Sequence, residues 1–252
     1  MGTGSLGSHR CKNKLSKEYR RFSSLLIDEK TVIDPSEDIF EFEETFMLKG
    51  LCLGITDILI THSHLGHFSI SAIERLAKLR GRIRVFGGEV IGRELMETNG
   101  IEFVEILPFK VFNVGGYEAV ALPSNHITDC PGEIAFNFFF KKNKSFFYGL
   151  DGGFINPLAW KVIKEVKPDL YILDCALGNE ELSEGAIYHN GIEGALAIRN
   201  MLIGAGVAAE DTKFILSHLP SLKKRDIHEE LTLATEDLPA VRIAYDGYYA
   251  AF

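Results

Sequence analysis

Three histidines stand within six residues, directly after an apolar, strand-like segment. The segment is Asp57-Ile-Leu-Ile-Thr, and the histidines are His62, His64 and His67. Side chains at positions i and i+2 of an extended strand point to the same side, so His62 and His64 can bind one ion. His67 follows a bend, where it is placed for a second ion or for solvent. Because imidazoles are common ligands of transition metals, the spacing predicts a metal site.

Four further candidate ligands follow strand-like segments later in the chain. They are His126, Asp151, Asp174 and His218. The carboxyl ends of neighbouring parallel strands meet at one edge of a sheet, so we expect these side chains to converge. Taken singly, Asp151 is also compatible with an ordinary turn and Asp174 with a helix or turn cap. Their recurrence at successive strand ends favours one shared site.

This mixture of imidazoles and carboxylates indicates hydrolytic chemistry. It suits Zn²⁺, with Mn²⁺ or Fe²⁺ as alternatives, and a carboxylate such as Asp151 can bridge two ions. A bound ion lowers the pKa of a coordinated water and polarises the carbonyl or phosphoryl oxygen under attack. The expected cofactor is therefore zinc, as one or two ions, and no serine or cysteine nucleophile is required.

The hydrophobic pattern predicts an α/β fold, organised as one domain over residues 1–252. A hairpin of segments 22–28 and 31–34 opens the chain, and Ser71 with Glu74 is expected to form a capping box at the first helix. The predicted strands are 58–61, 83–86, 102–106, 110–114, 117–122, 134–140, 145–148, 170–173, 213–216 and 241–244. The predicted helices are 72–79, 89–98, 157–165, 192–204 and 226–235.

The composition limits the possible partners and locations. The net charge of −8 argues against a broad nucleic-acid-binding face. There is no apolar run of membrane-spanning length and no export signal at the start, so a cytoplasmic protein that binds no membrane is expected. The four cysteines are scattered, without a paired motif, and are read as free thiols. Lys223, in a short basic run, is a candidate substrate contact, although a solvent-exposed helix entry explains it equally well.

The order of the candidate ligands resembles that of the metallo-β-lactamase superfamily, over nearly the whole chain. The segments most similar to its phosphodiesterase branch are Gly2-Thr-Gly-Ser-Leu-Gly, Ser23-Ser-Leu-Leu-Ile-Asp, Tyr188-His189-Asn-Gly-Ile-Glu-Gly-Ala-Leu, His228-Glu-Glu-Leu and Ala244-Tyr-Asp-Gly. That branch includes the tRNA 3′-processing endonucleases and the cyclic-phosphate phosphodiesterase of the carbon–phosphorus lyase pathway. The resemblance implies a four-layer αββα sandwich with its site at one edge.

The resemblance also implies roles for individual residues. It assigns His62, His64 and His126 to a first metal and His67 and His218 to a second. Asp151 would bridge the two ions. His189 falls where this branch has a histidine that assists the leaving group, which makes it the candidate acid or phosphate contact. Since it stands between a polar loop and the predicted helix 192–204, it is expected to lie away from the ligand-bearing strand ends.

Three departures from the family pattern limit this reading. Gly66 stands where the HxHxDH motif has an aspartate, so the second metal is expected to bind weakly unless Asp174 or a water compensates. The segment between His126 and Asp151 is too short for the basic arm that clamps tRNA, which argues against full-length tRNA as a substrate. Cys11 alone stands where the carbon–phosphorus pathway enzyme has a cysteine cluster, so identity with that enzyme is not supported.

The preferred hypothesis is a metal-dependent phosphodiesterase that attacks a small phosphodiester or nucleotide-like substrate through a metal-bound hydroxide. The first alternative is a hydrolase of a lactone, thioester or β-lactam, since a metal-bound hydroxide also attacks a carbonyl carbon. The second, favoured by Gly66, is a catalytically weak member of the superfamily that binds a metal or ligand. The sequence leaves the oligomeric state open, including a homo-oligomer.

Overall fold

Twelve strands form two sheets in the part of the chain that the computed structural model describes, which is residues 2–5, 11–180, 187–220 and 227–251. The first sheet has five strands in the order β1-β2-β3-β4-β5. Strands β2 to β5 run parallel to one another, and β1 pairs with β2 as an antiparallel hairpin. The strands are β1 (Leu25–Leu26), β2 (Thr31–Ile33), β3 (Asp57–Leu59), β4 (Ile83–Gly87) and β5 (Ile101–Glu105).

The second sheet has seven strands, in the order β12-β11-β10-β9-β8-β7-β6. Its first four members in that order are parallel, and the strands from β9 to β6 are antiparallel. The strands are β6 (Val111–Val114), β7 (Tyr117–Pro123), β8 (Phe136–Lys141), β9 (Ser145–Gly149), β10 (Leu170–Asp174), β11 (Lys213–Ser217) and β12 (Val241–Ile243).

Seven helices, among the described residues, cover the outer faces of the two sheets. None of them is long and apolar enough to cross a membrane. The first sheet carries α1 (Asp38–Thr45), α2 (Leu51–Gly54), α3 (Ile70–Arg80) and α4 (Glu89–Leu95). The second carries α5 (Pro157–Val166), α6 (Ile192–Gly204) and α7 (Ile227–Ala234).

Alternating side chains divide the core into three layers. On β2, Val32 packs under the helices of the first sheet, whereas Ile33 faces the second sheet. On β10, Tyr171 packs under the helices of the second sheet and Ile172 faces the first. Strands buried on both faces explain the continuous apolar runs of the sequence. The layers follow the order helix, sheet, sheet, helix, and the predicted αββα sandwich is confirmed.

The helices contain the main differences from the predicted elements. Helices α1 and α2 were not predicted, because α1 lacks a side-chain cap at Glu37 and α2 has four residues. The capping box of Ser71 and Glu74 was wrong. Ser69 is the N-cap of α3 and its hydroxyl accepts the Ala72 N–H, since the chain is already extended at Ser69 and the helix begins two residues earlier.

A buried carboxylate joins the two ends of the described chain. Asp246 accepts hydrogen bonds from the backbone N–H and hydroxyl of Thr3 and from the backbone and guanidinium of Arg21. The backbone of Gly4 is hydrogen-bonded to Arg21 and Ser23, before β1, and the backbones of Thr3 and Ser5 are hydrogen-bonded to Leu219, after β11. The N-terminal segment is thereby fixed next to the end of β11.

The core packing generates a stability prediction. The Phe214 ring is fully buried and stacks on Tyr171, with ring centroids 4.9 Å apart. Because Phe214→Ala removes this packing and leaves a cavity, urea unfolding should show a loss of about 3–5 kcal/mol in the free energy of unfolding. The exposed Leu233 is the control, since Leu233→Ala should change it by no more than about 0.5 kcal/mol. Equal effects of the two substitutions would contradict the layer assignment.

Candidate metal centre

The carboxyl ends of parallel strands from both sheets meet at one edge of the sandwich. Polar side chains follow or end five of these strands. They are Asp34 after β2, His62 after β3, Asp151 after β9, Asp174 at the end of β10 and His218 after β11. The convergence expected from the sequence is therefore present, and two loop residues, His126 and His189, join it.

Three of these strand-end residues have left-handed backbone conformations. The φ angles are 49° at Asp34, 51° at Asp151 and 58° at His218. Such a conformation is unfavourable by about 1–2 kcal/mol in a residue other than glycine and persists where the surroundings hold it. Here each one turns the chain sharply at the strand end, so that the side chain is directed at the site and not along the strand.

The first group of candidate ligands consists of His62, His64 and His126. The Nδ1 atom of His64 lies 3.0 Å from Nε2 of His62 and 3.1 Å from Nε2 of His126. Burial holds the pKa of His62 well below its ordinary value and lowers the pKa of His126 to about 4, so both rings are neutral at pH 7. Neutral imidazole is the form that binds a metal.

Hydrogen bonds at the opposite ring nitrogens set the tautomers of this group. The Thr61 hydroxyl donates to Asp34 and so accepts from Nδ1 of His62, which leaves Nε2 of His62 unprotonated. The carbonyl of Tyr188, 3.4 Å from Nδ1 of His126, has the same effect there. The Nε2 proton of His64 is directed at Asp129, 3.5 Å away, so Nδ1 of His64 is unprotonated. The lone pairs of Nε2 of His62, Nδ1 of His64 and Nε2 of His126 therefore converge. They repel one another unless a cation lies between them, so this donor set fits a transition metal.

The Asp151 carboxylate lies at the centre of the site. Its Oδ2 is 3.1 Å from Nε2 of His67 and its Oδ1 is 3.2 Å from Nε2 of His218. Nε2 of His126 and Nδ1 of His189 are each 3.8 Å from Oδ1. Burial alone would raise the pKa of Asp151, but the charges of His218 and His67 outweigh it and hold the pKa well below its ordinary value. An ionised carboxylate in this position has the placement expected of a bridging ligand.

Asp34 orients His67, and the sequence analysis missed it. Its Oδ2 lies 2.8 Å from Nδ1 of His67. Burial opposes protonation of His67, but the Asp151 and Asp34 carboxylates outweigh it and raise its pKa to about 9. The space between the two carboxylates therefore favours a positive charge. The missed signal was available, because Asp34 ends a strand segment just as the other candidates do.

Ser23 orients His218. Its hydroxyl lies 2.8 Å from Nδ1 of His218 and donates to the carbonyl of Gly4, so it accepts the Nδ1 proton and fixes the ring with Nε2 directed at Asp151. No sequence pattern could have identified this contact, which joins positions 195 residues apart. It depends on the N-terminal segment that Asp246 fixes in place.

Asp174 fixes the other side of the site but offers no free oxygen. Its Oδ1 accepts from the backbone N–H groups of Ala176 and Asn190, and its Oδ2 from the N–H of Asp151 and Nδ1 of His189. A carboxylate has about four lone-pair sites, and these four donors use them. Asp174 is thus placed as a structural support. To replace the aspartate that the family has at position 66, its carboxylate would have to give up one of these hydrogen bonds.

His189 lies inside the cluster, and the expectation that it lies away from the strand ends was wrong. The hydrogen bonds from His189 and Asn190 to Asp174 draw their loop back over the end of β10. The His189 ring centroid is 4.9 Å from that of His126. Burial opposes protonation, but the hydrogen bond to Asp174 and its charge outweigh it and raise the pKa of His189.

The remaining candidates are placed as follows. Gly66 is buried in the turn between His64 and His67, and its φ lies outside the left-handed region, so the backbone conformation alone does not require glycine. Lys223 lies outside the described residues. The four cysteines are free, as predicted, and none belongs to a ligand group found among the described residues.

Comparison of the chain with known proteins identifies its fold. No protein-family profile matches the sequence, and no curated protein matches it. Solved structures do match the structure of the chain. The metallo-β-lactamase fold protein YhfI from Bacillus subtilis has 14% identity and a TM-score of 0.70, over 98% of this chain and 95% of that one. A diphosphatase of the PhnP family has 19% identity and a TM-score of 0.71, over 100% of this chain and 95% of that one.

A third similar structure is Zn²⁺-bound PqqB from Methylobacterium extorquens, with 12% identity and a TM-score of 0.67, over 100% of this chain and 98% of that one. The protein therefore has the metallo-β-lactamase fold, as the sequence predicted. Similarity at this level of identity establishes the fold and leaves the reaction to be argued from the site.

The first prediction for the site concerns metal content. His62→Ala or His64→Ala should remove most of the bound metal, because the loss of one of three nitrogen ligands leaves the ion poorly coordinated. The control is His228→Ala, at a histidine outside the ligand groups, which should keep its metal. Metal analysis by mass spectrometry, with circular dichroism to check folding, measures this. Unchanged metal in both site variants would refute the first group.

The second prediction concerns Ser23. Ser23→Ala removes the acceptor at Nδ1 of His218, so the ion bound through His218 should bind about 10–100-fold more weakly in a chelator competition. The neighbouring Ser24 is the matched control, because its hydroxyl donates to the carbonyl of Ile33 and does not contact a ligand. An unchanged affinity in Ser23→Ala would show that this hydrogen bond does not support the site.

Proposed function

We propose that the protein is a metal-dependent hydrolase that cleaves a small phosphodiester, with zinc as its cation. The proposal rests on the converging imidazoles of His62, His64 and His126, beside the ionised Asp151. His67 and His218, on the other side of Asp151, would complete a second and weaker position. The PhnP-family diphosphatase, which shares the fold, supports phosphoryl chemistry without establishing it.

A bound divalent cation would acidify a coordinated water and polarise the phosphoryl oxygen. The side chains of the protein must orient the ligands and balance the charge. Histidines oriented by Asp34 and Ser23 would keep their unprotonated nitrogens directed at the ion and hold its coordination constant during the reaction. Asp151 would bridge the two positions and offset their positive charge.

His189 is the proposed general acid, and its contact with Asp174 is the observation that carries this role. The hydrogen bond from Nδ1 to Asp174 fixes the ring, so that Nε2 carries the transferable proton. In the reaction the oxygen of water bonds to phosphorus, and the bond from phosphorus to the leaving oxygen breaks with both electrons on that oxygen. His189 protonates the leaving oxygen, and solvent takes the proton of the water and later restores that of His189. The products are a phosphomonoester and an alcohol.

A second candidate is hydrolysis of a lactone, thioester or β-lactam. One observation favours it. The loops that bear the candidate ligands contain no Lys or Arg among their described residues, so no described lysine or arginine there would pair with a phosphate charge. A panel that compares an alkyl phosphodiester with a carbonyl ester of the same substituent decides between the two. Metal binding without hydrolysis of either would indicate a binding protein.

The activity prediction concerns the leaving group. His189→Ala should keep its metal but lose about 10²- to 10⁴-fold in turnover of an alkyl diester, the usual range for general acid catalysis. The loss should be much smaller for a p-nitrophenyl diester, whose leaving oxygen needs little protonation. His228→Ala is the control and should keep both activities. Equal losses on the two substrates would exclude the acid role, and loss of metal would make His189 a ligand.

A further inference from the structure

Four large apolar side chains project into solvent beside the candidate metal centre. Their exposed fractions are 73% for Leu65, 59% for Ile127, 48% for Phe154 and 55% for Ile187. Each is within three residues of a candidate site residue: His64, His126, Asp151 or His189. We refer to these four side chains as the apolar rim.

Contacts between the loops hold members of the apolar rim near one another. The side chain of Asn125 donates to the carbonyl of Ile187, and the side chain of Asn190 donates to the carbonyl of Gly152 over 2.8 Å. The loops that carry Ile127, Phe154 and Ile187 are therefore held together. Leu65 is next to His64, whose ring lies against that of His126.

The described loops around the candidate metal centre carry no basic side chain other than histidine. Loop residues 60–69, 123–135, 150–156, 174–180, 187–191 and 217–220 include no Lys or Arg, whereas Asp129, Glu133 and Glu180 add negative charge. A single exposed apolar side chain is ordinary, but several around one opening mark a binding surface. The described residues of these loops offer no Lys or Arg to a polyanionic substituent, whereas an alkyl or aryl group would bury apolar surface on both sides.

We propose that the substrate carries an uncharged alkyl or aryl substituent that lies on the apolar rim while the scissile group lies at the metal centre. This inference rests on the proposed function and narrows its substrate class, from nucleotide-like diesters to diesters with an apolar substituent. Each methylene buried on the rim should raise affinity about fourfold, until the rim is covered.

The test measures binding as well as activity. Zinc-loaded protein is titrated with methyl-, butyl- and octylphosphonate in a calorimeter, and turnover is measured for p-nitrophenyl phosphodiesters with the same alkyl groups. Affinity and kcat/KM should both rise with chain length. In Phe154→Ser and Ile187→Ser the dependence on chain length should flatten, with metal content unchanged. Met96→Ser, at a side chain that is 79% exposed and outside the site loops, is the matched control and should keep the full dependence.

The two proposals fail in different ways. Hydrolysis with no dependence on chain length would overturn the apolar rim and leave the proposed function intact. Phosphonate binding that strengthens with chain length, without hydrolysis, would support the rim and remove the function. Failure of every phosphonate to bind, or an unchanged dependence in both rim variants, would overturn the inference.

Discussion

The buried carboxylate of Asp151 is the group on which the site depends. It lies within 3.8 Å of four imidazoles, and it is 4% exposed. A charge removed from water in this way persists only when opposite charge or hydrogen bonds compensate it. The two sheets supply that compensation from opposite directions, since His67 follows β3 of the first sheet and His218 follows β11 of the second. The face-to-face packing of the sandwich is thus required for the site as well as for the core.

A second set of side chains keeps the imidazoles in place. Asp34 holds His67, Ser23 holds His218, and Asp174 holds His189 together with the backbone of Asp151. Each contact occupies the ring nitrogen that faces away from the site or fixes the loop that carries the ring. The geometry of the ligands is therefore set by hydrogen bonds to strand ends and not by the loops alone, as precise metal sites require.

The sequence predicted the parts of the site that local patterns determine. Apolar strands that end in His or Asp gave the fold class, the edge at which the site lies, and its candidate ligands. It missed Ser23 because a serine has no distinctive pattern and its partner is 195 residues away. It misplaced His189 because the bond to Asp174 folds the loop back over the sheet. It placed the cap of α3 at Ser71, whereas the chain is already extended at Ser69, whose hydroxyl accepts the Ala72 N–H.

The central claim is that this edge of the sandwich holds a transition metal, and the most direct test is metal analysis of the protein purified without added metal. The protein should contain a stoichiometric amount of transition metal. After it is stripped with a chelator, it should take up Zn²⁺ in a calorimetric titration, with release of protons as His67 gives up its own. A metal-free protein that takes up no Zn²⁺ after stripping would contradict the account.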